Sequence, residues 1–405
     1  MNFWRAGMPG KSRVRKILFI THWAQSFGGA EYSLADILDK IGEEAEVHLL
    51  TAEHGPLQEM FRLKVRGVVI PCTPGLKHIK RDRLASGVFL HLYSVVAFVV
   101  YVLRVLFLVR KLNPDCIHAN VPKSHLTLMI LSRLGFRGVG ILHVREIFTR
   151  GSFAYTIYRL MYRSNRTGII AISDAVRRGL PSSMEKNAVV IYNGVRIPTC
   201  FQARPVNLPV RFLYLGRVVP WKGCHMLIEI FEELRTLIAP GAATLRLVGD
   251  TSYWDAGYRR DLERLITVFG LAGPVTLEPG TDDPYAVLSR HDVLCVPSKR
   301  EPFGRVAAEA QSCGMPVIGF SGGGLAEIIV DGETGFLVPD DNCSAFARAM
   351  TEFVNKGSLV QEFGNKGYLR AKMHFNRERQ VSEIIDYLLA QAESSKNQNR
   401  HCSKR

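Results

Sequence analysis

Two glutamates eight positions apart, Glu301 and Glu309, are the residues whose types and spacing indicate chemistry most directly. The apolar run 293–297 before them predicts a strand, and the following segment predicts a helix with Pro302 at its first position. On one helix, eight positions span about 12 Å and return to within about 80° of the same face. The two carboxyl groups of a hydrolytic pair lie only roughly 5 to 9.5 Å apart. The spacing therefore favours two carboxylates that hold opposite ends of one elongated, hydroxyl-rich ligand.

Two cations lie where a diphosphate could bind. Arg217 and Lys222 follow the apolar run 211–215 and precede a segment with apolar residues at helical spacing, 226–234. A helix start carries partial positive charge and free backbone amides, so basic side chains beside it suit a diphosphate. A second glycine turn, residues 321–324, follows another apolar run. Glycine lets backbone amides approach a ligand closely, so this turn is also predicted to face one.

Strands and helices alternate along the rest of the chain, which is typical of an α/β fold with parallel sheets. The predicted strands are 16–20, 46–51, 68–72, 115–119, 138–143, 167–172 and 188–192, then 211–215, 243–248, 274–278, 292–296, 316–320 and 335–338. The apolar spacing of residues 377–392 predicts a final helix, and the polar residues 394–405 predict a frayed tail.

The order and spacing of these elements, over roughly residues 15–390, resemble the retaining nucleotide-sugar glycosyltransferases of family 4. The resemblance implies the GT-B fold, in which two Rossmann-like domains face each other across a cleft. It implies that Glu301 contacts hydroxyls of the donor sugar and that Glu309 holds the ribose. It also implies that Arg217 and Lys222 hold the diphosphate.

The resemblance extends to backbone positions. Amides of Phe303, Gly304 and Arg305 are expected to lie along the donor sugar and its phosphates. Gly28 and Gly29 match the family's glycine loop after the first strand, close to the reaction centre.

Histidines and one further glutamate are also candidates. His143 matches a histidine near the transferring sugar, although Val144 stands where many members have Asp, and Glu146 is a second candidate nearby. Two more histidines, His22 and His118, end predicted strands, where a structural role is common. Glu327 could hold a ribose, a sugar hydroxyl or no ligand.

The domain organisation follows from the resemblance and from the proline content. Residues 1–196 are expected to form an acceptor-binding domain, 197–209 a linker, and 210–375 the domain that binds the nucleotide sugar. Residues 376–393 are expected to form a helix that crosses back to the first domain, followed by the tail 394–405.

Cysteine usage and missing motifs limit the chemistry. None of the eight cysteines forms a C-x-x-C pair, so the sequence favours a reduced, intracellular protein without disulfides or structural zinc. The basic residues 1–15 contain no apolar run, so no signal peptide is expected. No Asp-x-Asp motif occurs, so we expect neither a metal nor a cofactor, with Arg217 and Lys222 neutralising the diphosphate.

The net charge of +15 is uneven. All of the excess lies in the first 200 residues, because basic and acidic residues balance in the rest, and it is densest over residues 61–83. Nucleic acid is a conceivable partner for such a patch. No nucleic-acid-binding motif occurs, however, and aromatic residues do not interleave with the charges, so this partner is not expected.

The apolar stretch 88–109 carries only His91 and Arg104 as ionisable residues. Its length would suit a membrane span, but a span would separate two strands predicted for one sheet. A buried core helix is a second possibility. We favour a helix that lies in the bilayer interface, where apolar burial and attraction to anionic lipid add together. Residues 61–112 are therefore expected to bind an anionic membrane surface, with the protein peripheral on the cytoplasmic face of the plasma membrane.

These features together predict a retaining hexosyltransferase (EC 2.4). It would move a sugar from a nucleotide-diphosphate sugar to a hydroxyl of a glycan or lipid-linked acceptor, in assembly of cell-surface polysaccharide or lipopolysaccharide. The alternatives are a nucleotide-sugar 2-epimerase of the same fold, a transferase acting on a small soluble acceptor, and a scaffold with a decayed site. A dehydrogenase is disfavoured because no Gly-x-Gly-x-x-Gly follows the first strand.

Overall fold

The chain folds around two parallel β-sheets with helices on both faces, as the α/β pattern predicts. The computed structural model describes residues 15–22, 28–71, 88–163, 166–199, 208–250 and 256–402.

The first sheet has the strand order β3-β2-β1-β4-β5-β6-β7, and every pair is parallel. Its strands are β1 (Arg15–Ile20), β2 (Ala45–Thr51), β3 (Arg66–Val69), β4 (Cys116–Ala119), β5 (Val139–Val144), β6 (Thr167–Ala171) and β7 (Ala188–Val190).

The second sheet has the order β10-β9-β8-β11-β12-β13 and is also parallel throughout. Its strands are β8 (Val210–Leu215), β9 (Ala243–Val248), β10 (Val275–Glu278), β11 (Val293–Val296), β12 (Val317–Phe320) and β13 (Gly335–Val338). Every strand of both sheets was predicted from its apolar run, with ends that differ by at most two residues except at β3, whose predicted carboxyl end lies three residues too late.

Helices connect the strands. They are α1 (Gly29–Ile41), α2 (Pro56–Met60), α3 (Val88–Leu112), α4 (Pro122–Arg133), α5 (Phe153–Met161), α6 (Asp174–Arg178), α7 (Ser182–Glu185), α8 (Cys224–Leu237), α9 (Ala256–Val268), α10 (Pro284–Leu288), α11 (Arg305–Ser312), α12 (Leu325–Ile328), α13 (Cys343–Asn355), α14 (Ser358–His374) and α15 (Arg377–Cys402). A short 3-10 helix, Pro220–Lys222, precedes α8.

Both faces of the first sheet are covered. Ile17 and Phe19 of β1 pack in the same core as α1 and α15, whereas Leu18 and Ile20 pack on the other side with α3. Successive side chains of a strand point to opposite faces. A strand buried on both faces therefore reads as an unbroken apolar run, which is why the sequence predicts it well.

Each sheet reverses its strand order at one point. In the first sheet β1 lies between β2 and β4, and in the second sheet β8 lies between β9 and β11. The chain leaves these central strands toward opposite sides, which opens a crevice at their carboxyl ends. Ligands of open α/β sheets bind in such crevices, so the loops after β1, β4, β8 and β11 are where a site is expected.

The last helix differs from its prediction. Val381, Ile384 and Leu388 of α15 lie in the core of the first sheet, so the helix packs on the domain where the chain began. It continues to Cys402, and the prediction of a frayed tail from Ser394 is therefore wrong for residues 394–402. These residues contain neither Gly nor Pro, and the Ser394 hydroxyl donates to the Ala390 carbonyl within the helix.

The apolar helix α3 is buried on one side only. Ala97, Tyr101, Val105 and Val109 lie in the core of the first sheet. The opposite side is exposed and equally apolar, with Phe107 73% exposed. The interpretation of α3 as a buried core helix is therefore correct for the side that faces the sheet, but it does not account for the exposed apolar side.

Across the described ranges, none of the helices combines the length and the hydropathy that a membrane crossing requires.

Some predicted features lie outside the described residues. They include most of the linker, residues 200–207, the carboxyl end of the third predicted strand at Cys72, and four basic residues of the segment 61–83, namely Lys77, Lys80, Arg81 and Arg83.

Candidate functional site

Lys222 and Glu301 meet at the reversal point of the second sheet. Lys222 ends the short helix after β8, and Glu301 lies in the loop after the neighbouring strand β11. The Lys222 Nζ donates to the Glu301 carboxylate over 2.5 Å, and the two side chains remain 21% and 14% exposed. The crevice edge therefore carries one cation and one carboxylate that a ligand can still reach.

Glu301 is held by the glycine turn rather than by a helix. Its carbonyl accepts the Gly324 N–H over 2.7 Å, and Glu301 forms a β-bridge with Gly323. Gly323 has a φ of 79°, and a Cβ there would lie 2.2 Å from the Glu301 carbonyl oxygen. The turn 321–324 thus packs on the backbone of this loop, which corrects the prediction that its amides lie open to a ligand.

The helix start was predicted three residues too early. α11 begins at Arg305, and Gly304 before it has a φ of 97°, so Pro302 lies in the loop. Glu301 consequently precedes the helix that carries Glu309, and the spacing calculated for one continuous helix does not apply. The two glutamates are held by different elements.

Arg305 and Glu309 form a second ion pair, one turn apart on α11. The Arg305 Nε donates to the Glu309 carboxylate over 2.8 Å, and the carboxylate is almost fully buried. Burial raises the pKa of Glu309, and the interaction with Arg305 opposes that shift. Arg305 therefore favours the charged form of a desolvated carboxylate, which is the form that accepts hydrogen bonds.

Arg305 also faces the glycine loop of the first domain. Its guanidinium carbon lies 5.6 Å from the centre of the Tyr32 ring on α1. A Cβ on Gly29 would lie 3.8 Å from the Arg305 Cδ. Gly28 is fixed beside it, because its N–H donates to the Glu31 carboxylate over 3.0 Å. The structure thus brings the predicted glycine loop to the start of α11.

Phe303 serves the packing between the domains with its side chain. The ring is buried, with its centre 6.1 Å from the Tyr192 ring and 5.7 Å from the Phe375 ring. Only its backbone is left for a ligand, which is the part that the sequence comparison had assigned.

Arg217 lies on the loop after β8 with an exposed side chain. Its carbonyl accepts the Tyr214 hydroxyl over 2.6 Å, which fixes the backbone of the loop. Arg217 is therefore on the same loop as Lys222 but presents its charge farther into solvent.

His143 is buried inside the first domain. Its Nδ1 lies 3.1 Å from the His118 Nε2 and 3.4 Å from an Arg145 nitrogen. Desolvation, with Arg145 as the next cause, holds the pKa of His143 well below its usual value, and the pKa of His118 is lowered to about 3. Both rings are neutral at pH 7. In this conformation the ring of His143 is covered and does not line the crevice.

His22 is likewise buried. Its ring centre lies 5.3 Å from the Tyr101 ring of α3, and desolvation lowers its pKa to about 3. His22 therefore packs as a neutral ring beneath the carboxyl end of β1.

Arg145 is a cleft residue that the sequence analysis missed. It follows β5 and donates to the Asn120 Oδ1 over 3.0 Å, to the Asn193 Oδ1 over 3.0 Å and to the Ser33 Oγ over 3.2 Å. Burial lowers its pKa to about 9, partly offset by Glu31, so it stays protonated at pH 7. A cation just past the carboxyl end of a predicted strand is the signal in the sequence that could have identified it.

Arg145 is tied to the glycine loop through its neighbour. Asn120, which accepts from Arg145, also donates from its Nδ2 to the Ala30 carbonyl over 3.2 Å. The cation therefore lies in one network with the start of α1.

Glu327 joins the two domains. Its carboxylate accepts the N–H groups of Asp174 and Ala175, each over 2.7 Å, at the start of α6. Beside it, the Ser173 hydroxyl donates to the Pro302 carbonyl over 2.5 Å. Glu327 thus binds neither of the two ligand groups considered from the sequence in this conformation, because a helix start of the first domain occupies it.

Among the described residues, no cluster of side chains is suited to hold a metal ion. Within the ranges that the structure describes, His, Cys, Asp and Glu residues do not gather in groups of three or more that could hold an ion.

Two protein-family models match the chain, one in each half. The model for Glycosyltransferase Family 4 matches residues 27–197, and the model for Glycosyl transferases group 1 matches residues 202–370. The matches therefore cover the strands β2 to β7 of the first sheet and all strands of the second sheet.

Two known glycosyltransferases are similar in sequence to most of this chain. An uncharacterised glycosyltransferase of Methanocaldococcus jannaschii is 24% identical over 358 residues, which is 87% of this chain and 92% of the relative. The capsular polysaccharide biosynthesis glycosyltransferase CapM of Staphylococcus aureus is 26% identical over 304 residues, 68% of this chain and 76% of the relative.

A solved structure supports the fold independently. The crystal structure of the Anabaena protein HepE in complex with UDP superposes with a TM-score of 0.75 at 23% identity, covering 93% of this chain and 100% of that one. The two-sheet architecture, the paired family models and these relatives lead to one conclusion. The chain belongs to the glycosyltransferases of family 4 and has the GT-B fold.

Proposed function

We propose that this glycosyltransferase moves a hexose from a nucleotide-diphosphate sugar to a hydroxyl of a glycan or lipid-linked acceptor, with retention of the anomeric configuration. The observation that carries the proposal is the Lys222–Glu301 pair at the reversal point of the second sheet. A cation suits a phosphate, and a carboxylate beside it suits sugar hydroxyls.

The donor's parts correspond to successive side chains along this edge. Lys222 and Arg217 would neutralise the diphosphate, and Glu309, paired with Arg305, would accept hydrogen bonds from the ribose. When the diphosphate binds Lys222 in place of Glu301, the Glu301 carboxylate would be free to accept hydrogen bonds from the sugar hydroxyls. The complex of HepE with UDP supports a uridine nucleotide as the first donor to test.

Catalysis would consist of charge stabilisation and positioning. As the bond between the anomeric carbon and the phosphate oxygen breaks, negative charge grows on the leaving diphosphate, and two cations stabilise it there. The acceptor oxygen would attack from the same face, and its proton would pass to the leaving phosphate oxygen. In the complex Glu301 would hold sugar hydroxyls and Glu309 would stay paired with Arg305, so neither is offered as a nucleophile.

The first domain would receive the acceptor. The glycine loop at Gly28 and Gly29 faces the start of α11 from that side, and Arg145 contacts Ser33 on the helix that follows the loop. The similarity to a capsular polysaccharide enzyme supports cell-surface polysaccharide as the product class, with lipopolysaccharide as a related one. Such synthesis would take place on the cytoplasmic face of the plasma membrane.

The test begins with the donor. Thermal shifts with UDP-, GDP- and ADP-glucose identify the nucleotide, because a ligand of the folded state raises the unfolding temperature as its concentration grows. Turnover is then followed as nucleoside diphosphate released in the presence of acceptor glycans. Lys222→Ala and Arg217→Ala should each lower turnover by about a hundredfold or more, because each removes a cation from the transition state.

A matched control separates site chemistry from surface charge. Lys366→Ala removes an exposed lysine of α14 that is paired with Glu362 over 3.0 Å, and turnover should be unchanged. Near-normal turnover of Lys222→Ala would refute the diphosphate assignment. Conversion of the sugar by the enzyme with donor alone would favour the epimerase instead.

A further inference from the structure

The outward side of α3 is an apolar surface without a partner among the described residues. Its exposed apolar side chains recur at helical spacing along one side, opposite the buried residues that face the sheet. They are Val95, Val96, Val99, Val100, Leu103 and Phe107. A soluble monomer rarely presents such a contiguous apolar strip without a binding role.

The neighbouring helices extend this surface. α4 packs beside α3 and α5 beside α4 on the same side of the sheet. Phe153 and Leu160 at the two ends of α5 are 82% and 65% exposed. The Arg133 guanidinium at the end of α4 donates to the Leu160 carbonyl over 2.6 Å, which ties the helix ends together. We call the outward side of α3, α4 and α5 the α3–α5 face.

The charge on this face has one sign. α3, α4 and α5 contain no Asp or Glu, and residues 88–163 contain only Asp115 and Glu146 as acids. The same stretch carries exposed cations at Arg104, Arg110, Lys111, Arg133, Arg137, Arg150, Arg159 and Arg163. Arg104, Arg110 and Lys111 lie three or four positions from Val100 or Phe107, on the exposed side of α3. An apolar strip with cations beside it matches a surface that is apolar inside and anionic outside.

We propose that the α3–α5 face docks on an anionic lipid bilayer, with its apolar strip below the headgroups and its cations among them. Apolar burial and attraction to anionic lipid act together in such binding. Two other occupants fit less well. A second copy would set this cationic face against itself, and nucleic acid would stack on aromatic rings rather than on valines and leucines.

The position of the face beside the crevice gives the docking a consequence. Tyr101, on the buried side of α3, contacts His22 just after β1, at the carboxyl edge where the first domain opens. A bilayer against the α3–α5 face would therefore lie next to the acceptor side of the cleft. The lipid binding itself is a property of this face and does not rest on the proposed sugar transfer.

Vesicle flotation with the full chain tests the proposal. Wild type should float with vesicles that contain phosphatidylglycerol, and much less with pure phosphatidylcholine or at high salt, which screens the cations. The variant Leu103→Asp with Phe107→Asp should bind at least about tenfold more weakly, because it places carboxylates in the apolar strip. Leu369→Asp, at an apolar position of α14 that is 61% exposed, is the matched control and should bind as wild type does.

The other results would overturn the proposal. Equal flotation of the double variant and wild type, or no flotation with anionic vesicles, would refute the α3–α5 face as the membrane-binding surface. Equal binding of wild type to phosphatidylcholine vesicles and to vesicles with phosphatidylglycerol would refute the preference for anionic lipid. Light scattering identifies a second copy as the occupant if wild type is a dimer and the double variant a monomer. Unfolding temperature and turnover on a soluble acceptor should be the same in both proteins, since both positions are exposed and lie on a helix outside the cleft.

Discussion

At the scale of residues, the charges of the cleft are arranged as two ion pairs. Lys222 with Glu301 and Arg305 with Glu309 each combine a part-buried cation with a carboxylate, and Arg305 opposes the rise in the pKa of Glu309 that burial causes. Removing one member of a buried pair leaves the other charge uncompensated, which costs more than the pair contributes. Glu309→Gln keeps the shape and an acceptor oxygen for Arg305, but it still leaves the Arg305 charge uncompensated.

Arg145 has a different kind of importance. It brings together side chains from the loops after β4 and β7 and from α1, and it keeps its charge although burial lowers its pKa to about 9. Its planar fork of donors satisfies two carboxamide oxygens at once, which lysine cannot reproduce. Arg145 is therefore a positioning residue for the wall of the first domain.

Arg145→Ala is expected to lower kcat/KM by about 10- to 100-fold, because a small misplacement of a cleft wall is costly for transfer. The oxygens of Asn120 and Asn193 lose their donor, which should lower the free energy of unfolding by about 1–3 kcal/mol. Steady-state kinetics and urea unfolding measure the two effects, with Arg145→Lys expected to recover only part of the activity. Arg264→Ala, at an exposed position of α9, is the control. Full kcat/KM together with lost stability would restrict Arg145 to a structural role.

At the scale of elements, one loop decides the geometry of the donor edge. The loop 300–304 is held from beneath by the glycine turn 321–324, through the contacts between Glu301 and Gly323 and Gly324. Backbone packs directly on backbone there, so no side chain can be accommodated at Gly323. The turn, which follows β12, thus holds the backbone of Glu301 and thereby positions its carboxylate.

Gly323→Ala should therefore disturb Glu301 as well as the turn. Its Cβ would meet the Glu301 carbonyl at 2.2 Å in addition to the unfavourable φ of 79°. Gly332→Ala is a matched control, because Gly332 has a φ of 70° but open space around it. The control should lose only the conformational cost of roughly 1–2 kcal/mol, whereas Gly323→Ala should lose more and also raise the KM for the donor.

Calorimetry and donor kinetics distinguish the two glycine variants. If Gly323→Ala and Gly332→Ala lose equal stability and leave the KM for the donor unchanged, the turn does not position Glu301.

At the scale of the whole molecule, several polar contacts join the two domains. Glu327 accepts two N–H groups at the start of α6, Ser173 donates to the Pro302 carbonyl, and the Arg300 guanidinium donates to the Thr149 hydroxyl over 3.1 Å. The first two contacts end on the loop and turn that carry the donor edge. The arrangement of the domains and the geometry of that edge are therefore coupled.

Glu327→Ala should loosen the domain arrangement. It removes two hydrogen bonds to a carboxylate, each worth about 1.5–3 kcal/mol. The expected results are a larger radius of gyration in small-angle X-ray scattering and a higher KM for the donor, while each domain stays folded. Glu333→Ala, an exposed acid in the turn after β12 and α12, is the control. An unchanged scattering curve for Glu327→Ala would mean that this contact does not hold the domains.

The sequence alone determined the elements and their order. The central strands of both sheets were predicted from apolar runs because they are buried on both faces. Arg217, Lys222 and Glu301 were predicted as site residues from their positions after strand ends, and the glycine loop was predicted from the family resemblance. These signals depend on residues that are close together in the sequence, so they can be recognised without knowing the tertiary structure.

Only the tertiary structure decided how those elements meet. The start of α11 at Arg305, the capping of α6 by Glu327, the network around Arg145 and the burial of His143 all depend on groups brought together from distant parts of the chain. The two-sided character of α3 belongs here as well, because an all-apolar helix gives no periodic signal of which side will face the sheet. A sequence records which side chains are available, and packing determines which of them pair, which are desolvated and which stay exposed.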